Sequence, residues 1–383
     1  SIVAAIYREP EGLCYLSVSA LCIFLGVLLS FRKPKNHVFY LKEGCVATSL
    51  SWIVLSFFGS IPFLLTGEIT SVPDALFETI SGFTTTGASV LNNVEALSHC
   101  SLFLRSFTHW VGGMGVLVFL LAVIPLSGGS HINLMRAESP GPNVGKLVPK
   151  MHTTARILYV IYVLLTIINI VFLLFGGMPV FEAVCTAMGT AGTGGFGIKN
   201  DSMASYSPYI QNVCTVFMLL FGVNFSCYYL LLIRHFKTVF KDQELRMYIA
   251  IVLGSIVLIT WNLHGFYSTL GETVRHAAFQ VATVITTTGF ATTDFDLWPS
   301  FSKGILLALM FLGACAGSTG GGLKIGRTLL LLKNLRRKTR RILNPKRVEV
   351  VRVNGQKVSE SVLENTNTCL LYTSPSPRDR TRS

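Results

Sequence analysis

Apolar runs of about 20 residues, separated by short basic or polar stretches, constrain this chain more than any other feature. At 1.5 Å per residue such a run makes a helix of about 30 Å, the thickness of a bilayer's hydrocarbon core. The candidates are Leu13 to Phe31, Cys45 to Leu65, Leu102 to Pro125, Ile157 to Phe175, Tyr209 to Ile233 and Met247 to Leu263. A seventh runs from about Phe301 and is broken by glycines before Leu323. Only 13% of the 383 residues are charged, about half the share in an ordinary soluble domain. The chain is therefore expected to be one multi-span membrane domain, and large soluble enzyme folds are excluded.

Between these runs lie apolar stretches of only about a dozen residues, beginning near Pro73, Pro179 and Glu272, which would cover ~18 Å as helices and cannot cross the core. They are expected to be re-entrant half-helices. Loop charges set the sidedness. Arg32, Lys33, Lys35 and Lys42 fill one loop, Arg136, Lys146 and Lys150 another, and Arg234, Lys237, Lys241 and Arg246 a third. Ten further Lys and Arg lie from Lys324 to Arg347. By the positive-inside rule all four regions are cytoplasmic, so the short stretches all open on the outer side. The net charge of +13 is thereby explained by topology, with no nucleic-acid partner expected.

The short stretches align with one another without gaps. Counting back from Gly87, Gly195 and Gly289, position −2 is Thr85, Thr193 and Thr287, and position −12 is Ala75, Ala183 and Ala277. The first and third end Thr-Thr-Thr-Gly, and the second reads Gly-Thr-Gly-Gly-Phe-Gly from Gly192 to Gly197. Irregular backbone at membrane depth is tolerated only inside protein or along a wet cavity. A half-helix that ends there has free carbonyls. Several such ends around one axis can replace the water shell of a cation, with the negative ends of the helix dipoles adding to the attraction. The expected filter residues are Thr85, Thr86, Gly87, Thr193, Gly194, Gly195, Thr287, Thr288 and Gly289.

At these residues the chain resembles a known family. Gly82-Phe83-Thr84-Thr85-Thr86-Gly87-Ala88-Ser89, then Arg105-Ser106-Phe107-Thr108-His109-Trp110-Val111-Gly112-Gly113-Met114-Gly115, then Arg136-Ala137-Glu138-Ser139-Pro140-Gly141-Pro142 look like the membrane subunit of the bacterial Trk potassium uptake system. Thr193 to Phe196, Thr286 to Phe290 and Gly313 to Lys324 extend the likeness. The resemblance implies an all-α membrane protein of helix, pore loop, helix repeats around a pseudo-fourfold potassium pathway in the bacterial inner membrane. It also implies a homodimer regulated by a cytosolic nucleotide-binding subunit, with potassium held by filter carbonyls and no organic cofactor.

The glycine-rich break from Gly313 to Gly322 fails as a phosphate loop, because Leu323 precedes Lys324 and Ile325 follows it. Small residues that cannot hold a helix, placed cytoplasmic to a filter, suit a flexible constriction. Gly317, Ser318, Thr319, Gly320, Gly321 and Gly322 are the expected gate, as the resemblance also implies; a fixed kink is the alternative. Arg105, His109 and Trp110 are expected to be interfacial anchors. Asp74, Glu78 and Glu182 are expected to serve the N-termini of their half-helices, and Gly112, Gly113 and Gly115 to let helices pack closely. Nine cysteines without metal-ligand spacing are expected to be packing residues. Asn354-Gly355 after an apolar-alternating run predicts a small cytoplasmic hairpin.

The expected organisation is a leader helix and cytoplasmic loop (1–44), a first pore repeat (45–126) and a second with its flanking loops (127–246). A third repeat with the gate (247–334), a basic segment with the hairpin (335–364) and a non-native tail (365–383) follow. Successive filter glycines are 195 − 87 = 108 and 289 − 195 = 94 residues apart, so a fourth is expected near or beyond Ser383. The native start is likewise expected upstream of Ser1. Within transport, a sodium-coupled potassium transporter or the potassium-binding subunit of a pump is the alternative. A membrane-embedded enzyme is disfavoured, because neither His-Glu-x-x-His nor Gly-x-Ser-x-Gly occurs.

Overall fold

A computed structural model of the chain describes residues 2–31, 41–115, 151–344, 350–360, 362–364 and 366, with the side chains of 41–44 and 151–155 left out. The expected Arg136 to Pro142 loop, the span beyond Gly115, the lead into the hairpin at Val348 and Glu349 and nearly all of the tail lie outside these residues.

A short helix α1 (Ile2–Tyr7) precedes the leader span α2 (Gly12–Ser30). The first repeat comprises α3 (Leu41–Thr66), the half-helix α4 (Val72–Phe83) and α5 (His99–Gly113). The second comprises α6 (Met151–Phe175), the half-helix α7 (Val180–Ala191), and α8 (Pro208–Phe221) followed by α9 (Phe225–Leu232). After a short α10 (Phe236–Lys241) the third comprises α11 (Gln243–Asn262), the half-helix α12 (Leu270–Ile285) and α13 (Ser300–Phe311). The basic helix α14 (Ile325–Leu343) and a hairpin of β1 (Arg352–Val353) and β2 (Gln356–Lys357) complete the described chain.

Among the described residues four helices are long and apolar enough to cross a membrane, and five if α8 and α9 count as one bent span. Local sequence sets where the elements begin. Pro73 sits in the first turn of α4, where its missing N–H costs nothing. Ser98, Ser207, Asp242 and Thr269 cap α5, α8, α11 and α12 by accepting N–H bonds from the first turn. The half-helices of 12, 12 and 16 residues reach about 18 to 24 Å and stop inside the membrane. The first packs between the helices of its own repeat, the second and third pack also against α5 and α8 of the repeat before, and each keeps Ala75, Ala183 or Ala277 fully buried at the equivalent position. Apolar side chains of α2, such as Ile23, Phe24 and Leu29, stay exposed, as a lipid-facing leader requires.

One observation differs from the sequence expectation. The span from Tyr209 to Ile233 is not one helix, since α8 and α9 meet at 89° across Gly222, Val223 and Asn224. Asn224 starts the second piece by accepting the Ser226 N–H at 2.9 Å. The seventh span does break as expected, with 12 helical residues in α13 and irregular backbone from Leu312 to Lys324.

Candidate ion filter and gate

The three half-helices end alike. Thr85, Thr193 and Thr287 stand at φ +54°, +50° and +57°, left-handed values that a β-branched residue rarely adopts. Two residues on, Gly87, Gly195 and Gly289 stand at +74°, +77° and +90°. The bonding is the same in each loop. Thr85 donates its N–H to Gly82 O (3.1 Å) and Thr86 to Ser81 O (2.9 Å). Thr193 and Gly194 repeat this on Thr190 O and Gly189 O, and Thr287 and Thr288 on Val284 O and Thr283 O. This is a Schellman end, which turns the chain out of the helix and leaves the next carbonyls free of the helix ladder.

The loops follow one another with backbone against backbone. A Cβ on Gly87 would sit 1.8 Å from Gly194 O, and one on Gly195 would sit 2.0 Å from Thr288 O. Glycine is therefore required at both positions by conformation and by space. A Cβ on Gly289 would meet nothing within 4 Å, and Gly289, Thr84 and Thr86 are exposed. Among the described residues the ring is open between its third and first loops.

The end of α5 is wedged between the first two loops. A Cβ on Gly112 would lie 2.0 Å from Phe83 O, and one on Gly113 would lie 2.5 Å from the Gly192 Cα. His109 is wholly buried beside them, with Nδ1 2.7 Å from Gly82 O. Arg105 is 3% exposed; its Nε donates to Glu78 Oε1 at 2.7 Å and its Nη1 to Gly197 O at 3.2 Å, and the guanidinium lies 4.1 Å over the Phe196 ring. Glu78 also accepts from the Ser89 hydroxyl and the Val90 N–H. Arg105 and His109 are thus not interfacial anchors, and Glu78 does not serve a helix N-terminus. They brace the outer strands of two loops. Trp110 is half-buried and donates to Thr166 Oγ1 at 3.2 Å. Nothing in the sequence announces this brace, because an Arg and a His one turn apart near the outer end of a span have the same pattern as a headgroup belt.

The glycine-rich segment lies beneath the third loop. Gly321 donates its N–H to Thr287 Oγ1 at 2.7 Å, and Thr319 Oγ1 donates to Phe221 O at 3.2 Å. The break between α8 and α9 holds it from the side: Cys315 N–H reaches Gly222 O and Phe225 N–H reaches Gly317 O, both at 3.0 Å. Lys324 Nζ donates to Gly320 O within the segment. At its base one carboxylate oxygen, Glu244 Oε1 at the start of α11, accepts the N–H of Ala316 (2.6 Å) and of Gly326 (2.9 Å). Glu244 and the α8–α9 break were not singled out from sequence. The sequence-expected gate residues all fall within this one segment.

Residues 15–371 match the TrkH family, described as a cation transport protein. The chain is 37% identical over 371 residues to the Trk system potassium uptake protein TrkH of Salmonella typhimurium, covering 95% of this chain and 77% of that protein. It is 32% identical to the Trk system potassium uptake protein TrkG of Escherichia coli, over 95% of this chain and 76% of that one. The crystal structure of the potassium transporter TrkH from Vibrio parahaemolyticus superimposes with a TM-score of 0.84 at 32% identity, over 97% of this chain and 78% of the other.

Proposed function

The chain belongs to the TrkH family of cation transport proteins, and on that premise we propose that its three Thr-x-Gly loops are successive parts of the filter through which it takes up potassium. It is a potassium uptake protein of the bacterial inner membrane and not an enzyme. The observation that carries the filter reading is the threefold recurrence of a left-handed threonine and a left-handed glycine at the same offsets, with each glycine but the last against the next loop's carbonyl. Left-handed residues alternating with ordinary ones turn successive carbonyls toward one side of the strand. A row of such carbonyls replaces the water a potassium ion loses, and three half-helix C-termini add partial negative charge. Thr85, Thr86, Gly87, Thr193, Gly194, Gly195, Thr287, Thr288 and Gly289 are the residues of this filter.

The segment Gly317 to Gly322 is the gate. It is irregular, lies on the cytoplasmic side of the third loop, and is held by single hydrogen bonds to Thr287, Phe221 and Phe225, while Cys315 and Ala316 just before it bond Gly222 and Glu244. A segment tied by a few exchangeable bonds moves at a cost of a few kcal/mol, which suits a gate rather than a fixed kink. As part of a Trk system the protein works as a homodimer under a cytosolic nucleotide-binding subunit. The test is growth at limiting potassium of an uptake-deficient bacterium carrying the gene. The parent restores growth, and Gly195→Ala, whose methyl would meet Thr288 O, abolishes it. Growth unaffected by that change removes the filter assignment.

A further inference from the structure

We infer that His109 is a positioning residue for cation selection, doing behind the second filter loop what threonine side chains do behind the other two. The inference rests on the filter reading above. In the first loop the Thr84 and Thr86 hydroxyls bond each other at 2.8 Å, and Thr84 Oγ1 also donates to Ile80 O at 2.7 Å. The third loop repeats both contacts, Thr286 to Thr288 at 2.8 Å and Thr286 to Ala282 O at 2.7 Å. This hydroxyl clasp ties each half-helix end to its own filter strand. The second loop has Gly192 and Gly194 at the corresponding positions and lacks the clasp.

Gly194 is not a glycine for conformational reasons. Its φ is not in the left-handed region, its N–H makes the same bond as those of Thr86 and Thr288, and threonine stands at both equivalents. It is a glycine because its Cβ would lie 2.4 to 2.5 Å from three atoms of the His109 ring. Gly192 likewise faces the His109 backbone carbonyl, 2.2 Å from where its Cβ would be. The imidazole fills the volume that the clasp fills elsewhere. A carbonyl only accepts, so the short contact to Gly82 O fixes a proton on Nδ1. Gly82 O is also the acceptor for the Thr85 N–H that closes the first loop. On its other side the ring stacks on Phe196, the residue after the second filter glycine, at 4.1 Å and 28°. One ring therefore sets the second loop's position against the first.

The test is the ratio of potassium to sodium uptake, which does not depend on how much protein reaches the membrane, measured in cells lacking other uptake systems. Expected results are a fall of about tenfold in the ratio for His109→Ala, the scale set by losing one buried hydrogen bond and its packing. Gly194→Thr, which drives a side chain into the ring, should lose uptake. The double variant H109A/G194T, with threonine restored where the ring was, should recover most of the ratio. An unchanged ratio in His109→Ala, or a double variant no better than the worse single one, overturns the inference. If His109→Ala does not accumulate, the double variant decides: accumulation with the ratio recovered supports the inference, and anything else overturns it. Gly195→Ala is measured alongside. If it too leaves the ratio unchanged the filter reading itself fails, whereas a collapsed ratio there with an unchanged one in His109→Ala removes only the role of His109.

Discussion

Thr85, Thr193 and Thr287 hold side chains at backbone angles that cost a non-glycine residue about 1 to 2 kcal/mol each. The Schellman bonds offset that cost, and two of the hydroxyls add their own: Thr193 Oγ1 donates to Gly192 O at 2.7 Å and Thr287 Oγ1 to Thr286 O at 2.6 Å. Arg105 is the costlier residue to disturb. Its partner Glu78 is wholly buried, so Arg105→Met leaves a carboxylate without its cation, a loss expected to lower stability by about 3 to 5 kcal/mol. Glu78→Gln combined with Arg105→Met should recover much of this, because no lone charge remains. Thermal unfolding of the purified protein in detergent checks both, and an Arg105→Met protein as stable as the parent would show that Glu78 draws its support from the Ser89 and Val90 contacts instead. The shared geometry of the three loop ends was legible because three copies align at equal offsets and each constrains the others. Arg105 and His109 were not, since burial between two loops is a tertiary fact that leaves no period in α5.

At the scale of elements, the broken helices make the same point. The break after α13 could be read in advance, because five of the ten residues from Gly313 to Gly322 are glycine, each of which weakens a helix interior by about 1 kcal/mol. The break after α8 could not. Gly222-Val223-Asn224 sits in an apolar run with one glycine, and the 89° turn is held by bonds from Cys315 and Thr319 and to Gly317 of the other repeat. Each break thus supplies the hydrogen-bond partners that the other has lost, which is how unwound backbone survives at membrane depth. Glu244 closes the arrangement from the cytoplasmic side. Glu244→Ala leaves the Ala316 and Gly326 N–H groups without their acceptor and should weaken the seat of the gate by roughly 1.5 to 3 kcal/mol, the range for a charge-assisted pair. Faster amide exchange at Ala316 and Gly326, and a raised rubidium flux, are the expected results. Deleting two glycines of the gate should raise flux in the same direction; unchanged flux in both variants would make the segment a fixed kink.

Across the whole molecule the parts form one line from the cytoplasmic hairpin to the third loop of the proposed filter. The hairpin turns at Asn354 and Gly355, at φ +50° and +81°, the type I′ turn that Asn-Gly announces. Its Asn354 side chain accepts the Gln243 N–H at 2.9 Å and donates to Asp242 at 2.7 Å. Lys333 of α14 bonds Arg352 O at 2.7 Å and also Gln243. Arg337 grips Glu360 through both oxygens and holds its carboxyl below the usual range. Val351 and Leu363 bury against Leu330 of the same helix. The residue after Gln243 is Glu244, which holds both ends of the glycine-rich segment proposed as the gate, and that segment touches the third loop at Thr287. A displacement of the hairpin therefore has a short covalent and hydrogen-bonded route to the filter, through 242–244 and Gly321. Asn354→Gly tests this route cleanly, because glycine keeps the left-handed turn and removes only the two side-chain bonds. Exchange at the Ala316 and Gly326 amides should rise, though less than in Glu244→Ala, and the double variant should be no faster than Glu244→Ala alone, since both act through one carboxylate. Additive effects, or no change in Asn354→Gly, would confine the hairpin to packing on α14 and leave the gate to respond to the membrane-embedded contacts at Gly222 and Phe225 alone.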